Sequence, residues 1–477
     1  MLWNKLSDKA MLTQGLNFLL TGVLLLTSQV SFAADPPLPT EDKFKHLGVA
    51  SCAGSSCHGA VSPLDDSTVL QNEFVTWKRE DKHAGAYDIL LTEQSKRIAK
   101  NLALDQPAHE HPECLICHSD FINDASRQGK RYKKEDGVGC ESCHGGAERW
   151  LGLHVSGATH EENVGAGLYP TEDPAARAKL CLSCHLGNKD REITHRIMGA
   201  GHPRLSFELD TFTLVEPAHF KVDDDYRERK AVYSAAQVWA VGQLSASVTF
   251  LEALANSKHQ GLFPELVYFD CHSCHHPMSY SEVNKHPGRA WQPRSSNGMG
   301  PGVVRLNDAN LLMLPVIAQG VEPDKAKALS QAIRALHRAS QQGWSQTKKA
   351  AGHLRDLAIE LRERMPKQLE TAAIQRMLAD VMRDGVRGQY RDYSGAEQGF
   401  LALDSLLTSL DAAGAISSSQ NELMRAAMDK VYLTLRTHEK GYHPSKDGYR
   451  SGEDDKDVYK SSDYINAMRQ LAAVFSK

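Results

Sequence analysis

The chain has 477 residues, with 55 Lys and Arg against 59 Asp and Glu, and a formal charge of −4. That balance excludes the basic surface that nucleic-acid binding requires. The length predicts about two domains, and a mean hydropathy of −0.43 fits a soluble mature protein.

The chain opens with Lys5 and Lys9, an apolar run from Leu16 to Leu26, and small residues at Ser31 and Ala33. This pattern predicts a secretory signal peptide over 1–33, cleaved near Ala33. The run is shorter than the ~20 residues that span a bilayer, and no second long apolar segment is evident after it. A periplasmic location follows as the expectation.

The ten cysteines then fall into five pairs, and a histidine follows the second cysteine of each. The pairs are Cys52/Cys57–His58, Cys114/Cys117–His118, Cys140/Cys143–His144, Cys181/Cys184–His185 and Cys271/Cys274–His275. We number them sites 1 to 5. Four are strict C-x-x-C-H, the attachment signature of c-type haem. Two thiols add to the porphyrin vinyl groups, and the adjacent His becomes the proximal iron ligand. Structural zinc has no need of a His after every second Cys, and a disulfide framework suits much shorter chains. The expectation is five covalently attached haems c. Site 1 carries four residues between its cysteines, and Gly54 makes that loop pliable.

The cysteines span positions 52 to 274, and 18 of the 22 histidines lie between His46 and His286. Roughly 45 residues per haem is close to the length at which a chain needs staples in place of its own core. The macrocycles are therefore expected to fill the core of the first half, in short helices and loops with little sheet. A Gly/Pro/Ser-rich stretch over 284–302 reads as a linker. It divides a multihaem cytochrome domain at 34–283 from a helical domain at 303–477. The predicted class is mainly α, a haem-packed domain followed by an all-α bundle.

Helical stripes mark the second half. Leu329, Ile333 and Leu336 follow Pro323; Leu354, Leu357 and Leu361 precede Pro366; Ile374, Met377, Leu378 and Val381 form a third. Ser394 with Glu397, and Ser419 with Glu422, read as capping boxes. Residues 230–258 predict a long helix joining the last two haem sites, and 439–460 read as an exposed loop.

Function turns on the sixth iron ligand. A second His suits electron transfer, and an open position permits substrate binding. Thirteen non-proximal histidines lie in the haem half, more than five irons need.

The motifs GVASCAGSSCHG, Trp77 with His83 in W-x5-H-A, GVGCESCHGG and AGHPRLSFEL resemble the cytochrome c-554 family of multihaem cytochromes. FDCHSCHHPM resembles a site in exported bacterial proteins related to it. The resemblance covers roughly 47–280. It implies His83, His154 and His202 as distal ligands, then His109, His111, His195 and His219. The best-known members of that family carry four haems, whereas this chain has five sites.

The leading functional expectation is a periplasmic carrier or relay of electrons through five haems with mostly bis-His ligation. Its partners would be a donor and an acceptor redox protein, with docking to a membrane complex left open and no catalytic residue assigned. One alternative is an oxidoreductase acting on a small nitrogen or sulfur compound at one open iron, although no motif replaces its proximal His by Lys. The other is a haem-wired assembly subunit of a redox complex.

Overall fold

The computed structural model describes residues 36–64, 67–188, 191–256, 265–274, 303–441 and 459–475. The signal-peptide reading of 1–33, the linker at 284–302, His275 and most of the loop expected at 439–460 lie outside these residues. Among the described residues the chain is helical, with three isolated β-bridges and no strand. The mainly α expectation is met.

The first half is built of short helices: α1 (Glu73–Glu80), α2 (Pro112–His118), α3 (Cys140–His144), α4 (Leu151–Val155), α5 (Pro174–His185) and α6 (Leu209–Val215). Only small hydrophobic clusters form among them. One gathers Tyr87, Leu90, Ala99, Ala108 and Leu115; another gathers Ala178, Leu182, Phe207, Leu209, Val238 and Ala246.

The second half is different in kind. Helices α7 (Ala235–Asn256), α8 (Met313–Val321), α9 (Pro323–Ser340), α10 (Trp344–Glu363), α11 (Thr371–Val386), α12 (Tyr393–Ala412), α13 (Ser418–Gly441) and α14 (Ser461–Phe475) enclose one continuous core. The stripes read from the sequence line it: Leu329, Ile333 and Leu336 on α9, Leu354 and Leu361 on α10, Ile374, Met377 and Val381 on α11. Proline at the first turn of α9 costs nothing there, because its missing N–H has no intrahelical acceptor.

Helix α7 belongs to this bundle by packing, although it precedes the expected linker. It lies against α10 and α12 on one side and against α5 and α6 on the other. Trp239, Ala240, Leu244, Leu251 and Leu254 are buried on it, and a helix apolar all round is a buried helix. It is also long and apolar enough to cross a membrane, which corrects the reading of no second such segment; 78% of its apolar window is buried inside the protein. Gly242 lets α6 approach closely, since a Cβ there would stand 2.6 Å from Leu209 Cβ. The chain from Leu38 to Lys477 is one compact unit shared by both halves.

Two expected capping boxes are shifted. Helix α12 is capped by Asp392, whose carboxylate accepts from Gly395 N at 2.7 Å. Helix α13 is capped by Ser417, which exchanges hydrogen bonds with Gln420. In each case a better-placed acceptor two residues upstream wins, and Glu397 is released for another contact.

At the amino-terminal end, His46 is fully buried, its Nδ1 donating to Asp120 at 2.9 Å and its Nε2 to the Pro39 carbonyl at 3.1 Å. Both partners only accept, so the ring carries two protons. Burial pulls its pKa down, but the Asp120 hydrogen bond and charge, with Glu141 behind, outweigh burial and raise it. A raised folded pKa gives stability that is complete below the unfolded value and is lost as pH rises through the folded one. Stability of the holo-protein is therefore expected to fall on alkalinisation beyond neutrality, and His46→Gln to lose that slope in denaturant titrations at several pH values. The substitution leaves Asp120 buried without its cation, which costs about 3–5 kcal/mol.

Candidate haem-binding site

Three of the five signatures sit on helices. Site 2 closes α2, site 3 is α3 itself, and site 4 closes α5. Cysteines three apart on a helix share one face, so both sulfurs reach one ligand edge. Site 1 closes its longer spacing with a turn. Cys57 N and Gly59 N both donate to Gly54 O, at 2.8 and 2.9 Å, and His58 N donates to Cys52 O at 3.2 Å. The inserted residues therefore fold out while the two cysteines stay together. Site 5 is described only through Cys271 and Cys274, and Cys271 lines a cleft with Met198, Arg204, Phe250 and Tyr268. None of the ten cysteines forms a disulfide.

Opposite four of the proximal rings stands a second imidazole. His58 faces His154 with ring centroids 6.0 Å apart, and His185 faces His83 at 6.0 Å. His118 faces His202 and His144 faces His219, both at 6.4 Å. With a metal–imidazole bond of about 2 Å and a centroid roughly 1 Å behind its nitrogen, two axial rings on one iron stand about 6 Å apart. The spacing fits a haem iron between each pair. The planes of His58 and His154 are near parallel at 13°, whereas the other three pairs cross at 83–87°.

Of the distal residues implied by the resemblance, His83, His154, His202 and His219 thus stand opposite proximal rings. His109 and His111 face none of the four described proximal rings. His109 packs edge-on to Tyr87, and His111 caps α2 by accepting from Glu113 N at 3.3 Å. Helix capping and ring packing employ these two elsewhere. His195 begins a short helix, and its backbone N–H donates to Glu265 at 2.7 Å, which ties it to the segment leading into site 5.

The electrostatics suit metal binding. Burial pushes His144 down to about 3 and His185 to about 4, and lowers His118 and His154, so these rings are neutral with a lone pair to offer. His58 and His83 go the other way, raised first by the hydrogen bonds they donate to Glu73 and Asp81. The second ring nitrogen is held at 3.1 Å or less on four of these eight rings: His58 by Glu73 at 2.9 Å, His83 by Asp81 at 3.0 Å, His118 by Ala86 O at 3.1 Å, His202 by Pro203 O at 2.9 Å.

The sites touch one another in a definite order. The Cys52 sulfur is within hydrogen-bonding reach of Cys140, and that of Cys117 within reach of Cys184. Cys143 lies close enough to Cys181 and Cys184 to feel their charge. Among the described residues, the cysteines of sites 1 to 4 therefore adjoin in the order 1–3–4–2.

Some supporting residues gave no sequence signal. Buried Glu141, inside the site 3 signature, accepts from the backbone N–H groups of Leu47, Gly48 and Ala147 at 2.7–2.8 Å and so binds the amino-terminal segment to α3. Trp77 donates to Val138 O at 3.0 Å just before the same signature. Arg204, two residues beyond His202, reaches the bundle, pairing with Glu397 at 3.1 Å over the Tyr393 ring. These are long-range contacts; Trp77 and Arg204 stand in motifs quoted above, but no motif names the partner each one reaches.

The family described as "Cytochrome c554 and c-prime" matches residues 51–145. A curated relative, "Cytochrome c-554" of Nitrosomonas europaea, is 29% identical over 222 residues, covering 44% of this chain and 80% of the relative. No solved structure gives a significant match. With repeated Cys–His signatures and opposed imidazoles spaced for iron, the protein is a multihaem c-type cytochrome with covalently bound haem c, similar over its amino-terminal part to the cytochrome c-554 family.

Proposed function

We propose that this chain is a periplasmic electron relay carrying five haems, each attached through its own cysteine pair, with bis-His ligation along the line 1–3–4–2. The observation that carries the reading is the four pairs of facing imidazoles at 6.0–6.4 Å. In it His58, His118, His144 and His185 are proximal ligands, and His154, His202, His219 and His83 are their respective distal partners. At site 5, His275 is the proximal ligand and His195 the distal one, supported by the tie from His195 to Glu265.

Haem held in this way supplies a one-electron ferric–ferrous couple. The chain's residues do the rest. The facing imidazoles would hold each iron from both sides and leave no position open to small molecules, and the adjoining cysteines would attach neighbouring haems close to one another. The signal-peptide pattern and the covalent attachment chemistry both support export. The donor and acceptor are redox proteins of the same compartment.

Intact mass and spin-state spectroscopy of the purified mature protein test this. The expected result is five haem masses and low-spin iron that ignores nitrite, hydroxylamine, sulfite and carbon monoxide. Electron paramagnetic resonance should show one rhombic low-spin signal from the parallel His58/His154 pair, and strongly anisotropic signals from the three crossed pairs. An iron that binds any of those molecules would turn the assignment to the oxidoreductase alternative, and a stable co-purifying complex to the assembly subunit.

A further inference from the structure

We propose that Glu73 and Asp81 hold the irons of sites 1 and 4 at lower reduction potential than those of sites 2 and 3. The relay line 1–3–4–2 then alternates low, high, low, high. The inference rests on the ligand pairs proposed above and adds what differs between them.

The difference lies behind the ligands. At site 1 the outer nitrogen of His58 donates to the Glu73 carboxylate at 2.9 Å, and Glu73 is fixed by a second hydrogen bond from Gln71 N at 3.1 Å. At site 4 the outer nitrogen of His83 lies 3.0 Å from Asp81, which is held by the backbone N–H of His83 itself at 2.9 Å. A second carboxylate, Glu216, brings an oxygen within 4.8 Å of both groups.

At site 2 both outer nitrogens meet neutral carbonyls, those of Ala86 and Pro203. At site 3 His219 has the Pro217 carbonyl at 3.4 Å and neither ring is bonded to a carboxylate; the charges nearby are the Lys230 ammonium at His144 and, through space, Asp81 and Glu216 at Cys143.

A carboxylate accepting the outer N–H draws the imidazole toward imidazolate and makes it a stronger donor to the metal. A stronger donor, with negative charge close by, stabilises ferric over ferrous iron. A backbone carbonyl polarises the ring much less, and a cation acts in the opposite sense. Both carboxylates act through a ligand without touching the iron, so they are positioning residues.

The test is a spectroelectrochemical titration of the full-length holo-protein carrying Glu73→Gln, Asp81→Asn or Asp81→Glu, with haem mass and spin state recorded for each. Glu73→Gln and Asp81→Asn are each expected to move one reductive wave to more positive potential by about 59 mV, a tenfold change in a one-electron equilibrium. Asp81→Glu, which keeps the charge, is expected to return the wave toward its native position. Waves that stay in place while all irons remain low-spin overturn the proposal, as does a Glu variant that behaves like Asn. Failure of the underlying ligand reading is distinguishable, because it would show in the unsubstituted protein as a missing haem or a high-spin iron.

Discussion

A chain with both Cys181 and Cys184 replaced by alanine is expected to lose one haem from its mass and to melt far below the parent. The two sulfurs sit on α5, whose other residues Ala178 and Leu182 pack with Phe207, Leu209, Val238 and Ala246. The His185 ring lies 5.2 Å from Phe207 and 5.4 Å from Phe212. Without a macrocycle these apolar walls face a void. Truncating one Phe costs about 3–5 kcal/mol, and a porphyrin is several times larger. The loss is therefore at least about 5 kcal/mol, the scale of a whole domain's net stability. It should not stay local, because α5 packs on α7 and α7 is central to the bundle. Helical circular dichroism is expected to fall in one transition covering both halves. An unchanged haem mass, or an unchanged melting curve, would falsify this account of haem as core.

That coupling also shows what the sequence could and could not reveal. The attachment sites were legible because covalent chemistry demands fixed residues at fixed spacing, and spacing survives in one dimension. The bundle stripes were legible because burial on a helix repeats every three or four residues. His219 ranked no higher than His109 or His111, since all are isolated histidines in polar loops. Only the fold turns the 217–220 segment toward His144 and sends His111 to cap α2. Helix α7 was visible as a helix, but its allegiance was not. Its sequence neighbours are haem sites, whereas its packing partners α10 and α12 come more than eighty residues later. The buried links Glu141 to Leu47 and Gly48, and Arg204 to Glu397, are similarly unreadable, since each pairs residues separated by about a hundred positions or more.

His202→Ala is expected to convert one iron from low to high spin and to let it bind carbon monoxide, while His109→Ala and His111→Ala leave the spectrum as it was. His202 is the ring opposite His118, and no other described histidine stands there to replace it. Its loop is held from two directions. The outer nitrogen meets Pro203 O, and Arg204 and Ser206 both bond to Glu397 on α12. The bundle thus helps to place a ligand it does not itself supply. Glu397→Ala removes charge-assisted hydrogen bonds worth about 1.5–3 kcal/mol each, leaves His202 chemically intact, and is expected to give a partial high-spin fraction at the same site. Absorption and magnetic circular dichroism spectra of the three histidine variants and the Glu397 variant check the set. A fully low-spin His202→Ala protein would remove His202 from the iron, and an unaltered Glu397→Ala spectrum would show that the loop holds its ligand without the bundle.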